Sequence, residues 1–264
     1  MPIWFYTVRP FYSALVLIVL IETLSLIGLL LTRRFILPRL HYHDGANDAV
    51  SGTVQAIGVF YGITVGLIAV AVWSTNSAAS DLVSREASAI GGLYRDINGY
   101  PSPLKEELHE KLRAYTEFVV KQDWPAQREG KTLDGGMNIL TDFQNAQFAF
   151  EPKTAGQTNL DAEALRAFNN LADCRRLRVV AAGGGLSDVM WAVIWVGAVI
   201  SIGVAYFFKI PDVKLHAILV VLIAGFLAMV IFMIVINDKP FFGHSSVSPE
   251  PYEFMLNKIN AVPH

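Results

Sequence analysis

The 264-residue chain has a single cysteine, Cys174, so it can form neither an internal disulfide nor a multi-cysteine zinc site. Charge is scarce. Asp, Glu, Lys and Arg make up 17% of the residues, against roughly 25% in a soluble domain. Hydrophobic residues reach 53%, with a mean hydropathy of +0.41. The net charge of −2 is spread without a dominant acidic or basic run, which argues against nucleic acid as a partner. No stretch alternates apolar and polar residues with the period of a strand. Gly-x-Ser-x-Gly, a phosphate loop, a dinucleotide fingerprint and His-Glu-x-x-His are all missing. Gly183-Gly184-Gly185 lacks the Lys-Ser/Thr that a phosphate loop requires and fits a hinge. His109 and His244 stand alone as exposed histidines, and His41 and His43 have no further ligands near them for a metal site. Nothing assembles a nucleophile, a base and an oxyanion hole, so an enzyme, a cofactor and a metal are not expected.

What the chain does have is four long apolar runs. A hydrocarbon core about 30 Å thick needs roughly 20 apolar residues in helical form. Phe11 to Leu31 meets that length, interrupted only by Glu22; Val54 to Trp73 contains no charge. Val189 to Phe208 and Leu215 to Ile236 follow, with His216 at the edge of the last run. Pro211 and the polar residues 212–214 predict a tight turn that makes these two an antiparallel hairpin. The first run is too long for a signal peptide, lacks an Ala-x-Ala exit and ends in Thr32-Arg33-Arg34, a stop. The expected architecture is therefore an all-α integral membrane protein with four transmembrane helices. Residues 1–73 hold the first two spans, 74–188 a helical extramembrane domain, 189–236 the hairpin and 237–264 a C-terminal tail. Four spans place both termini and 74–188 on one side. Basic residues number five on the short-loop side (Arg33, Arg34, Arg39, Lys209, Lys214) and six on the other (Arg9, Arg85, Arg175, Arg176, Arg178, Lys239), so charge leaves the orientation open.

Between the spans the pattern stays helical but turns amphipathic. Leu82, Ile90, Leu93 and Ile97 predict that the second span continues out of the membrane as one long helix, broken at Pro101-Ser102-Pro103. Leu104, Leu108, Leu112, Tyr115 and Val119 form the apolar stripe of the next helix, expected to stop at Trp124-Pro125. Residues 126–136 read as a loop and 137–150 as a short helix. Asn159 or Asp161 is the expected cap of a further helix running to about Val180.

Four features stand out chemically. Glu22 lies near the middle of the first span, where a charge costs about 2.5–3.5 kcal/mol on insertion scales, so it is expected to face protein or water. It would serve as a cation site or proton acceptor, or rest as a protonated acid bonded to a neighbouring helix beside Ser25. On the second span, Gly58, Gly62 and Gly66 share a small or polar stripe with Ser51, Gln55, Ala69, Asn76 and Ser80. That stripe is either a helix-packing seam or the wall of a narrow water path. The opposite face carries Ile57, Phe60, Thr64 and Leu67, which in a ring of copies would make a hydrophobic gate. Just before this span, Asp44, Asn47 and Asp48 crowd the helix mouth. Repeated around an axis, the two acids would form carboxylate rings that concentrate cations; alternatively Asp48 or Ser51 is simply the N-cap.

Several stretches resemble the bacterial bestrophin-like membrane proteins of the DUF4239 group. They are Arg33-Arg34, the block from His43 to Trp73, Arg85-Glu86-Ala87, Leu93-Tyr94-Arg95, Asp123-Trp124-Pro125, Arg175-Arg176-Leu177 and residues 247–251. The resemblance covers most of the chain in order, and the 43–73 block is its most specific part. It implies the architecture of bestrophin channels: a pentamer, four spans, a neck on the second span, and a helical cytoplasmic region between spans two and three. It also implies a bacterial inner-membrane location with cytoplasmic termini. No calcium-clasp residue is carried over, because no dense acidic clasp is visible.

The reading that follows is a homo-oligomeric channel for small inorganic ions in the lipid bilayer, cations slightly favoured, lined by the second span. Two alternatives remain open at this stage. One is a non-conducting scaffold or sensor whose helical domain binds a partner; the other is a proton-coupled carrier using Glu22.

Overall fold

A computed structural model describes residues 6, 8–40 and 45–261. All regular structure among them is helical. Helix α1 spans Pro10–Leu31 and runs on through a π-turn at Thr32–Ile36 and a 3₁₀ turn at Leu37–Arg39. Helix α2 is continuous over Ala46–Ile97, as the pattern predicts. Then come α3 (Leu104–Phe118), a π-turn (Val119–Asp123), α4 (Trp124–Arg128), α5 (Gly135–Phe148) and α6 (Ala155–Ala182). The chain closes with α7 (Asp188–Ala205), α8 (Val213–Asp238) and α9 (Glu250–Ala261). Four helices are long and apolar enough to cross a membrane: α1, α2, α7 and α8.

Three boundaries differ from expectation. Trp124-Pro125 does not end a helix. The π-turn just before it adds a residue to the backbone turn, and Pro125, without an N–H, sits in the first turn of α4 where no donor is required. The cap of α6 is Thr154, earlier than Asn159 or Asp161. Its hydroxyl accepts from Gln157 N at 3.2 Å, while the Gln157 side chain accepts from Lys153 N at 2.7 Å, close to a capping box. Residues 237–264 are more than a tail, since α9 buries Tyr252 and Ile259.

The chain divides into two compact units, residues 1–74 with 185–238 and residues 75–184 with 239–264. In the first, α1 packs along α8. Its buried row Ser13, Leu17, Ile21, Ser25 and Leu29 faces the α8 row Val220, Ala224, Ala228 and Ile231. Apolar burial drives little between helices in lipid, so close approach by small residues must supply the fit. Three glycines provide it. A Cβ on Gly28 would lie 2.7 Å from Tyr206 Oη, one on Gly225 would lie 2.8 Å from Glu22 Oε1, and one on Gly197 would collide with the Tyr61 ring.

The same unit is fastened at both ends. Arg33 Nη1 donates to Ile210 O (2.8 Å) and His216 Nδ1 (3.1 Å), while His216 Nε2 donates to Ala205 O (3.1 Å). A guanidinium only donates and a carbonyl only accepts, so Nδ1 of His216 is the acceptor and Nε2 the donor. At the other end Asp238 Oδ1 accepts from Leu186 N at 2.5 Å and ties down the glycine hinge.

The second unit has a conventional core. Val83, Ile90, Leu93 and Ile97 of α2 meet Leu108, Leu112 and Tyr115 of α3, Phe143 of α5, Phe168 and Leu171 of α6, and Tyr252 of α9. His109, expected to be exposed, is buried and stacks on Tyr94 with ring centroids 4.3 Å apart.

Candidate functional site

Helix α2 carries most of the candidate residues, and burial fixes how it is turned. Val54, Ile57, Tyr61, Val65, Ile68 and Val72 are buried or half-buried at spacings of three or four, one face of a helix. Tyr61 anchors that face to α7, its hydroxyl donating to Ile194 O at 2.8 Å. Ile57 therefore lies on the row turned towards its own bundle, apart from Phe60, Thr64 and Leu67, which are exposed. Gly58, Gly62 and Gly66 lie on the other flank, and a Cβ on any of them would meet no atom within 4 Å. Their neighbour in the stripe, Ala69, is buried within the protomer. Within the membrane unit the glycines at close helix contacts are thus Gly28, Gly197 and Gly225, which carry no periodic signature in the sequence.

At the mouth, Asp44 lies outside the described residues, as do His41 and His43. Helix α2 starts at Ala46 after Gly45, whose φ of +85° suits glycine, so neither Asp48 nor Ser51 is the cap. Asp48 is exposed in the first helical turn, where the helix dipole favours an acid. Asn47 is engaged. Its Nδ2 donates to Lys209 O (3.2 Å) and its Oδ1 accepts from Lys209 N (2.9 Å), so one amide closes the backbone of the α7–α8 turn onto α2.

Glu22 is half-buried, and its carboxylate lies against the space left by Gly225 of α8. Ser25 does not serve it: the Ser25 hydroxyl donates to Ile21 O at 2.7 Å. The acid faces its own bundle.

The second unit holds a polar centre that the residue pattern did not single out. Arg178 is fully buried. Its Nε and Nη2 donate to Glu86 at 2.7 and 3.4 Å, and Nη1 lies 3.0 Å from Asp123 Oδ2. Tyr115 Oη donates to Glu86 Oε1 at 2.5 Å. The rings of Trp124 and Tyr252 lie 5.9 and 5.8 Å from the guanidinium carbon, within cation–π range. Asp123 Oδ1 and the Gln127 amide, one turn apart, have no protein partner among the described residues. Burial, then the Glu86 charge, pushes the Tyr115 and Tyr252 hydroxyls well above their usual 10, so both stay protonated. Burial likewise raises the Cys174 thiol above its usual value, so less of it is thiolate. The signal was present in another form: Arg85-Glu86-Ala87, Asp123-Trp124-Pro125, Arg175-Arg176-Leu177 and the 247–251 stretch all carry the resemblance noted above, and all border this cluster. Among the described residues no group of three or more His, Cys, Asp or Glu is placed to hold a metal.

Comparison with known proteins fits this architecture. Three single-substitution variants of a bacterial bestrophin homolog from Klebsiella pneumoniae superpose on the chain. One has a TM-score of 0.61 at 14% identity, covering 94% of this chain and 97% of that one. A second gives 0.59 at 13%, covering 94% and 96%. A third gives 0.57 at 14%, covering 96% of both chains. At such identities the likeness concerns the fold. No curated protein sequence matches the chain. The family model described as the bestrophin-like domain matches residues 19–252, so this multi-pass membrane protein belongs to the bestrophin-like family.

Proposed function

We propose that several copies of the chain form a ring around a central pore lined by α2, which conducts small ions across the bilayer. The observation that carries this reading is the state of α2 between residues 54 and 73. One row packs on its own bundle, while among the described residues Phe60 and Leu67 are exposed and the Gly58-Gly62-Gly66 flank meets no neighbouring atom. A charge-free helix with two unpartnered flanks is what a ring of like helices needs, since each copy must touch two neighbours and still face the axis. Membership of a channel family supports the same reading, and by analogy the ring is a pentamer.

Asp48 at the exposed start of α2 favours cations at the mouth, by raising their local concentration. Glu22 belongs to the α1–α8 contact and stands off the conduction path. By the same family analogy the protein resides in the inner membrane, with its termini and the segment from 75 to 184 in the cytoplasm.

Two measurements test the proposal together: particle mass in nanodiscs, and ion flux from liposomes loaded with K⁺. A ring of several copies that passes ions is expected. A solitary particle, or a ring that stays impermeable in every condition tried, would sink it. Glu22→Gln should leave flux unchanged; a loss of pH-dependent flux with the oligomer intact would favour the carrier reading.

A further inference from the structure

This inference rests on the ring reading and concerns which α2 residues face the axis. We propose that Val59, Ile63 and Val70 line the constriction, whereas Phe60, Thr64 and Leu67 lie between neighbouring copies, packed against the side of the next α2 that carries Gly58 and Gly62.

The argument starts from burial, which records the direction of each copy's own bundle. At 100° per residue, the row from Val54 to Val72 falls within about 40° of Tyr61. In a closed ring the bundles stand outside, so the line opposite Tyr61 points to the axis. Within about 20° of that line lie Gly52, Val59, Ile63 and Val70. All are exposed, and Val59, Ile63 and Val70 are 59%, 59% and 63% so. Phe60 and Thr64 are turned about 100° and 60° from Tyr61 to one side, Gly58 and Gly62 about 60° and 100° to the other. Those flanks point sideways.

Residues at the helix mouth check the phase independently. Asn47 falls about 40° from Tyr61, on the bundle side, and its amide is indeed bonded to the Lys209 backbone of that bundle. Asp48 falls about 40° from the axis line and is exposed. Of the two, only Asp48 belongs to the pore.

Sideways packing is also sterically matched. A cyclic axis holds equivalent residues at one height. Phe60 of one copy therefore sits about 3 Å in height from both Gly58 and Gly62 of the next, at 1.5 Å rise per residue. Neither glycine has an atom within 4 Å of its Cβ position, so a phenyl ring has room there. The interface is heterologous and closes on itself. The axis row is then purely aliphatic, a constriction that gates by wetting and drying and carries no charge of its own. Cation preference, where measured, traces to Asp48.

The test compares Ile63→Ser with Phe60→Ser in liposomes, with particle mass measured on the same preparations. Ile63→Ser should raise ion flux several-fold at unchanged mass, because a hydroxyl wets the constriction. Phe60→Ser should leave flux per ring at the wild-type level and shift particles towards smaller masses. In a Cys174→Ser background, Phe60→Cys combined with Gly62→Cys should cross-link under mild oxidant into a ladder of chain multiples. A flux increase for Phe60→Ser in intact rings overturns the assignment, as does a silent Ile63→Ser or an equal response of both. Rings that form but give no ladder remove the sideways contact. Particles of one chain in every preparation would defeat the ring reading itself, a result the mass measurement separates from the others.

Discussion

Replacing Arg178 by Met isolates the polar centre of the second unit. The guanidinium is fully buried, bonded to Glu86 at 2.7 Å and paired with Asp123 at 3.0 Å, between the rings of Trp124 and Tyr252. Methionine fills much of the same volume but leaves two buried carboxylates uncompensated. Breaking one side of a buried pair costs about 3–5 kcal/mol, and the surviving Tyr115 donor reaches only Glu86. Asp123 Oδ1 already has no protein partner, so Asp123 loses its compensating charge altogether. Denaturant unfolding followed by tryptophan fluorescence suits the measurement, since Trp124 lies beside the substituted group. The midpoint should fall steeply. Substituting Glu86→Leu and Asp123→Leu together with Arg178→Met should recover most of the loss, because desolvation of all three charges is relieved at once. A single Arg178→Met within about 1 kcal/mol of wild type would refute the reasoning, as that is the scale of an exposed pair.

Other perturbations separate the two units. Tyr115 and Tyr252 bind their protons more tightly folded than unfolded, so the stability they contribute is complete below pH 10 and lost as pH rises further; an alkaline titration of unfolding should show this decline, weakened in Tyr252→Phe. Gly197→Leu should prevent folding of the membrane unit by collision with Tyr61, whereas Gly62→Leu should fold and fail only at assembly; particle mass and circular dichroism distinguish them, and equal behaviour would contradict the packing. Arg33→Gln should loosen the α7–α8 turn, raising proteolysis near Ile210 and Pro211, and an unchanged digestion pattern would mean that the bonds of Arg33 to Ile210 O, His216 Nδ1 and Pro211 O are incidental.

Much of the architecture was legible because its signals are long. Runs of about 20 apolar residues and a helical stripe from Leu82 to Ile97 define spans and a continuous helix almost regardless of tertiary context. Short-range punctuation was less dependable. Trp124-Pro125 looked like a stop because the π-turn that accommodates the proline leaves no mark in the sequence. Asn159 and Asp161 looked like caps because Thr154, the actual cap, precedes an Ala-Gly pair that reads as loop. On α2 the glycine flank and the Phe60 flank were both visible as periodic stripes. That neither of them faces the bundle was not, because an all-apolar helix in lipid shows no polar side to orient it. The buried row through Tyr61 and the Asn47 bonds to Lys209 supplied the phase. Gly28, Gly197 and Gly225 escaped notice for a related reason: each pairs with one large side chain far away in sequence, so no spacing announces it.

The notch at Gly225 has a mechanical consequence. An acid fitted into a single gap on the facing helix indexes α1 against α8, for a slip of one residue would drive the carboxylate onto a side chain. Arg33, bonded to Ile210 and His216, ties α1 to the same bundle at a second point. Helix α2 is held to that bundle by a strip of aliphatic contact, by the tyrosine–carbonyl bond at Ile194 and, at its mouth, by the Asn47 amide on the Lys209 backbone. In the proposed channel, a gating movement is therefore expected in α2 rather than in the α1–α8 pair.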